Sequence, residues 1–204
     1  MRRRIRIIGI ALVAIVLQTA CNTQLSTVPA RSVPGTTTTI ILVRHAERPE
    51  GLDPALNAEG RQRAAALADA LDQNGVTAIY TPDLRRNRET AAPLAERLDL
   101  DVNLIGALQI ADTKALANQF VDEVLELHAG GVVLWIGNTG PITPTQSGNL
   151  QEIYARLGGD GRAPIRYQDM YIAVISGRRR RPLHRDRIRR TQLTGLIRQR
   201  QWAL

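Results

Sequence analysis

The sequence predicts an α/β fold, a three-layer α/β/α sandwich around a mostly parallel central sheet, and three observations predict it. Short apolar runs at 38–43, 77–80, 102–105, 132–136 and 170–175 alternate with longer segments of helical period. Several of these runs are β-branched and lack polar alternation, the pattern of strands buried on both faces. A chain of 204 residues with 44% apolar content is long enough for one good core, and too short for two ordinary domains once its ends are set aside.

The chain opens outside that pattern. Arg2, Arg3, Arg4 and Arg6 precede an uncharged apolar run, 7–17, and this arrangement reads as an export signal over 1–21. The run is too short to cross a bilayer as a helix, which takes about 20 residues. It leads into Leu17-Gln18-Thr19-Ala20-Cys21, which resembles the lipobox of bacterial lipoproteins, with Gln18 where that pattern prefers an aliphatic residue. The resemblance makes Cys21 the lipidation site and the first residue of a mature, membrane-anchored chain. Cys21 is also the only cysteine, so no internal disulfide forms and a free thiol is the plain alternative. Residues 22–37, rich in Thr, Ser and Pro, suit a flexible tether.

The domain then occupies 38–176. After its first strand, Asn57 is placed to cap a helix running to about Asn74, with Ala64, Leu67 and Leu71 on one face. A second helix is expected over 85–98. Asp112 is placed to cap a third, in which Leu116, Phe120, Val124 and Leu127 recur at helical spacing before Gly130-Gly131 stops it. Residues 177–204 form a basic tail with ten arginines and no lysine.

Charge follows the same division. The net +8 gathers at the ends, +4 in residues 1–6 and +9 in 177–204, and leaves the stretch 7–176 at −5. A mildly acidic body argues against nucleic acid as the partner. The tail reads as a disordered basic arm for anionic lipid or nucleic acid, to which Ile188, Leu193, Ile197 and Trp202 add a weak apolar stripe, or as a replaced or out-of-frame C terminus.

Chemistry concentrates at the first strand's carboxyl end, where open α/β sheets place their sites: Ile41-Leu42-Val43-Arg44-His45-Ala46-Glu47. This resembles the RHG-type motif of the histidine phosphatase, or phosphoglycerate-mutase-like, superfamily. Downstream, Tyr80-Thr81-Pro82-Asp83-Leu84-Arg85-Arg86-Asn87-Arg88-Glu89-Thr90-Ala91 is similar to the family's second motif, and Leu56-Asn57-Ala58-Glu59-Gly60 to the start of its first helix. The resemblance covers roughly 38–176 and is closest to small members without a large cap. It implies His45 as the nucleophile, with Arg44 and Arg86 binding phosphate, and it implies no metal and no cofactor.

The third motif departs from the family. Where relatives carry a Gly-His-Ser-Asn-Thr-like turn, this chain reads Val132-Val133-Leu134-Trp135-Ile136-Gly137-Asn138-Thr139-Gly140-Pro141. Matching Asn138-Thr139 puts Ile136 at the histidine's place, and matching Gly137 leaves a two-residue deletion. Asn138 and Thr139 remain as weak phosphate-binding candidates through backbone N–H groups. His128 reads as a helix-end surface residue and His184 as part of the tail. Asp112 is a candidate general acid, equally explained as a helix cap.

The expected function is hydrolysis of a phosphorylated small molecule or phosphoprotein through a phosphohistidine, impaired by the lost histidine. The alternatives are a catalytically inactive, membrane-tethered module binding phosphate esters, and a decayed gene copy. The expected location is the cell envelope.

Overall fold

The computed structural model describes residues 30–140, 147–163 and 166–177, together with the backbone of 198–201. The signal segment, Cys21, His184 and most of the basic tail lie outside the described residues.

Six strands form one sheet: β1 (Thr37–Arg44), β2 (Val76–Pro82), β3 (Val102–Ile105), β4 (Val132–Gly137), β5 (Asp169–Ser176) and β6 (Arg198–Gln201), in the order β3-β2-β4-β1-β5-β6. The first four run parallel, β5 is antiparallel to β1, and β6 is antiparallel to β5. The five strands expected from the sequence are all present. The sixth, in the tail, was not expected there.

The helices are α1 (Ala58–Leu71), α2 (Arg85–Leu98), α3 (Ala107–Ile110), α4 (Thr113–Leu127) and α5 (Asn149–Arg156). Strand β1 explains why they form two layers. Successive side chains of a strand point to opposite faces, so Ile40 and Leu42 join one cluster with Phe120, Val121, Leu150 and Ile153 of α4 and α5. Ile41 and Val43 join the other, with Leu67 and Leu71 of α1 and Ala91 and Leu94 of α2. Ile40, Leu42, Val43, Leu134, Trp135 and Ile136 are almost wholly buried, which is the burial that their unbroken apolar runs predict.

Helix starts position the site. Asn57 caps α1 by accepting from the Gly60 N–H at 2.8 Å. Helix α2 has no capping side chain of its own. Asp53, from the loop after β1, serves instead, and both its carboxylate oxygens accept from the Arg85 N–H at 2.8 and 2.9 Å. In β1 and β4, Val43 pairs with Ile136 and Arg44 with Gly137, so the two strands end side by side.

Candidate functional site

His45 is the first residue beyond β1 and only 3% exposed. Its main-chain N–H donates to the Gly137 carbonyl at 3.0 Å, continuing the pairing with β4 by one residue. The following residues are held as firmly. The Ala46 N–H donates to the Thr90 hydroxyl at 2.9 Å, and that hydroxyl donates to the Arg86 carbonyl at 2.7 Å. The Glu47 carbonyl accepts from the Asn57 N–H at 3.1 Å. Helix α1 approaches this backbone so closely that a Cβ on Gly60 would stand 2.0 Å from the Glu47 oxygen, which accounts for glycine in the Asn57-Ala58-Glu59-Gly60 segment. The Glu47 carboxylate forms a buried ion pair with Arg63 of α1 at 2.6 Å.

Among the described residues the imidazole of His45 has one hydrogen-bond partner, the Ala46 carbonyl, 2.8 Å from Nδ1. A carbonyl only accepts, so this nitrogen carries the proton and Nε2 keeps its lone pair. Burial, joined by the charges of Arg44, Arg86 and Arg48, outweighs the hydrogen bond to Ala46 and pushes the ring's pKa down to about 3. The ring is therefore neutral at any physiological pH, the form in which nitrogen is a nucleophile.

Arg44 ends β1, and its guanidinium carbon lies 4.0 Å from the centre of the Tyr167 ring. The same ring meets His45 edge-on, with centroids 5.9 Å apart. Arg86, in the first turn of α2, is 9% exposed and donates through Nη1 to the Asp53 carboxylate at 3.2 Å and to the Leu52 carbonyl at 3.3 Å. Burial lowers the pKa of both guanidiniums, yet a guanidinium keeps its charge at working pH. Arg44, His45 and Arg86 thus come together as the sequence places them. Arg88 turns outward to an ion pair with Asp83, and Arg85 to Glu89, which leaves Arg86 as the inward member of the run.

The third motif lies beside them with a different chemistry. Ile136 is fully buried in the core under α1 and α2, so it does not occupy a site position. Gly137 pairs with Arg44 at the ends of β4 and β1, and Asn138 follows it. Asn138 is buried in an amide network: its Nδ2 donates to Asn87 at 3.3 Å, and its Oδ1 accepts from Asn87 and from Asn149, both at 3.4 Å. Its main-chain N–H, expected to face a phosphate, instead donates to Asn149 Oδ1 at 2.9 Å. Thr139 follows, half-buried. Asp112 is exposed and caps α4, accepting from the N–H groups of Lys114 and Ala115, so its carboxylate belongs to that helix end. His128 closes α4 and shares a 2.8 Å hydrogen bond with the Tyr80 hydroxyl.

Sequence reading missed Tyr167, Arg48, Asp53, Asn87 and Asn149. Tyr167 stands in an irregular stretch before β5 with no period or motif to mark it. Asn87 and Asn149 act through each other's neighbourhood, and no spacing along the chain joins them. Among the described residues no group of three or more His, Cys, Asp or Glu side chains is arranged to hold a metal ion.

Residues 40–159 match the model of the histidine phosphatase superfamily, branch 1. Phosphoserine phosphatase 1 of Hydrogenobacter thermophilus is 30% identical over 128 residues, 59% of this chain and 61% of that protein. A probable phosphoglycerate mutase of Enterobacter sp. (strain 638) is 28% identical over 126 residues, 58% of this chain and 59% of that one. The chain thus spans about three fifths of the length of these curated relatives. Among solved structures, a phosphoserine phosphatase mutant of Entamoeba histolytica in complex with phosphoserine superposes with a TM-score of 0.51 at 15% identity, covering 67% of this chain and 90% of that one, a likeness of fold.

Proposed function

Because this chain belongs to the histidine phosphatase superfamily, branch 1, we propose that it hydrolyses a phosphomonoester, on a small molecule or a protein, with His45 as the nucleophile. The observation that carries the reading is the His45 ring itself: neutral, held at Nδ1 by the Ala46 carbonyl, and flanked by Arg44 and Arg86. In the first step the Nε2 lone pair forms a bond to phosphorus while the ester P–O bond breaks, and the departing oxygen takes up a proton. Arg44 and Arg86 hold the non-bridging oxygens and offset the charge that builds on them. In the second step water attacks the phosphohistidine, releasing inorganic phosphate and restoring the neutral ring. Asp112 is not the proton donor in this reading, since it serves α4.

Asn138 supports slow turnover. By the family resemblance a histidine is expected in the turn after β4; here Asn138 stands in that turn, bonded to Asn87 and Asn149, and an amide offers the transition state no positive charge. Loss of one charge-stabilising donor costs roughly 3 to 4 kcal/mol of barrier by analogy with oxyanion-hole deletions. The same substitution favours a second reading, a binding module that holds phosphate esters without cleaving them. Phosphate release by the full-length chain from a panel of phosphomonoesters, run beside His45→Ala, separates the two. Release that His45→Ala abolishes supports the phosphatase. Affinity for phosphate esters without release supports the binding module.

The export signal and lipidation of Cys21 belong to the same proposal: a phosphatase domain tethered at the cell envelope. Among the described residues no helix is long and apolar enough to cross a membrane, so the tether rests on the sequence of residues 1–21. Mass spectrometry of the mature N terminus tests it, and a peptide that retains the residues before Cys21 would exclude it.

A further inference from the structure

Tyr167 reaches the site from outside the two arginine-bearing motifs, and the proposed mechanism gives it no role. It belongs to the turn over 166–169 that leads into β5. Met170 pairs with Val43, so this turn lies beside Arg44 and His45 at the end of β1. Asp169 closes the turn twice: its main-chain N–H donates to the Arg166 carbonyl at 3.2 Å, and its carboxylate Oδ2 accepts from the Arg166 N–H at 3.2 Å. Asp169 is itself buried, which anchors the turn at its inner end.

The half-buried Tyr167 ring makes two contacts, each with a group that the phosphatase reading needs. Its face lies 4.0 Å from the guanidinium carbon of Arg44, and it meets the His45 imidazole edge-on, with centroids 5.9 Å apart and planes at 61°. Stacking on an aromatic face engages the flat of a guanidinium and none of its N–H groups, so this contact fixes Arg44 without competing for phosphoryl oxygens. A long side chain that a ligand must immobilise loses rotamer freedom, and one already held in place loses less. At His45 the same ring fills space that water would otherwise take beside the nucleophile. The Tyr167 hydroxyl makes no hydrogen bond among the described residues, so both contacts belong to the ring.

We propose that Tyr167 is a positioning residue of this site and acts through its ring, the face holding Arg44 for phosphoryl oxygens and the edge keeping water from His45. The inference rests on the phosphatase reading, to which it adds a residue and the Asp169-closed turn that presents it.

Two measurements on the full-length chain test it, using native protein, Tyr167→Phe and Tyr167→Leu, each checked for folding by thermal melting. The first is calorimetric titration with inorganic phosphate. Tyr167→Leu, which removes the aromatic face, should weaken binding about five- to tenfold, and Tyr167→Phe, which keeps it, should recover most of that loss. The second needs no ligand: diethyl pyrocarbonate at pH 7 carbethoxylates accessible neutral imidazoles, and peptide mass spectrometry follows each histidine. His45 should react several-fold faster in Tyr167→Leu than in native protein or Tyr167→Phe, while His128, which closes α4 and bonds Tyr80, keeps its native rate. If Tyr167→Leu does not fold, Tyr167→Met, also without a ring, gives the same comparison. Unchanged phosphate affinity or an unchanged His45 rate in the folded ringless variant overturns the inference. A loss as large in Tyr167→Phe as in Tyr167→Leu also overturns it and assigns the effect to the hydroxyl, and faster reaction of His45 and His128 together assigns Tyr167 to the stability of the fold alone. Native protein that neither binds nor releases phosphate overturns the phosphatase reading and this inference with it. Native protein that turns over substrate, with the Tyr167 variants undisturbed, overturns only this inference.

Discussion

A histidine kept neutral by burial and by neighbouring arginines ties the reactivity of the site to acid sensitivity. In the unfolded chain His45 titrates near 6.5, while in the folded chain it takes a proton only near 3. Between those values the unfolded state binds the extra proton, so stability falls as pH drops from 6.5 toward 3, by up to about 1.4 kcal/mol per pH unit. Above 6.5 the effect is absent. His45→Gln should therefore flatten the loss of stability between pH 6 and pH 4, measured by urea unfolding. The grouping of His45 with Arg44 and Arg86 was legible in the sequence, because Arg44 and His45 adjoin and Arg86 stands in a recognisable run. The tautomer of His45 was not, since that depends on a carbonyl one residue away whose direction is set by Thr90 and α2.

Secondary-structure elements carry the next set of constraints, and the approach of α1 to the strand end is the tightest. Gly60→Ala would place a methyl group 2.0 Å from the Glu47 oxygen, and either α1 or the segment after β1 must give way. Destabilisation of roughly 1 to 3 kcal/mol or more is expected, with a disproportionate loss of phosphate release because the displaced backbone carries His45. The Glu47–Arg63 pair joins the same two elements. Arg63→Met alone should cost about 3 to 5 kcal/mol by leaving a buried carboxylate without its charge partner, and adding Glu47→Leu should recover much of it, a comparison that chemical denaturation can make. The long elements were readable from period and caps: Asn57 and Asp112 cap α1 and α4 where the sequence put them. The short ones were not. Helix α5 is eight residues long, too few for Leu150, Ile153 and Tyr154 to display a repeat, and β6 lies in arginine-rich sequence whose pairing comes from the open edge of β5 rather than from any apolar pattern.

At the scale of the whole molecule, a sheet with buried charge at its carboxyl edge should gain stability from phosphate if the proposed function holds. Phosphate at one hundred times its dissociation constant should stabilise the folded chain by about 2.7 kcal/mol, a rise in melting temperature that differential scanning calorimetry can read, and Arg86→Gln should abolish most of it. The three-layer plan was legible because the runs of β1, β2 and β4 are apolar without polar alternation, whereas the order of the strands was not marked in the sequence. The amide network of Asn87, Asn138 and Asn149 was not, because it joins three elements that only the fold brings together. The Thr90 hydroxyl is a link of the same kind, taking one hydrogen bond from Ala46 and giving another to Arg86. The strand that leads into His45 and the helix that carries Arg86 therefore share a clock. The Ala46 amide stays shielded from solvent deuterium while that hydroxyl covers it, so its exchange rate records how often α2 lifts from β1, and thus how often His45 and Arg86 fall out of alignment.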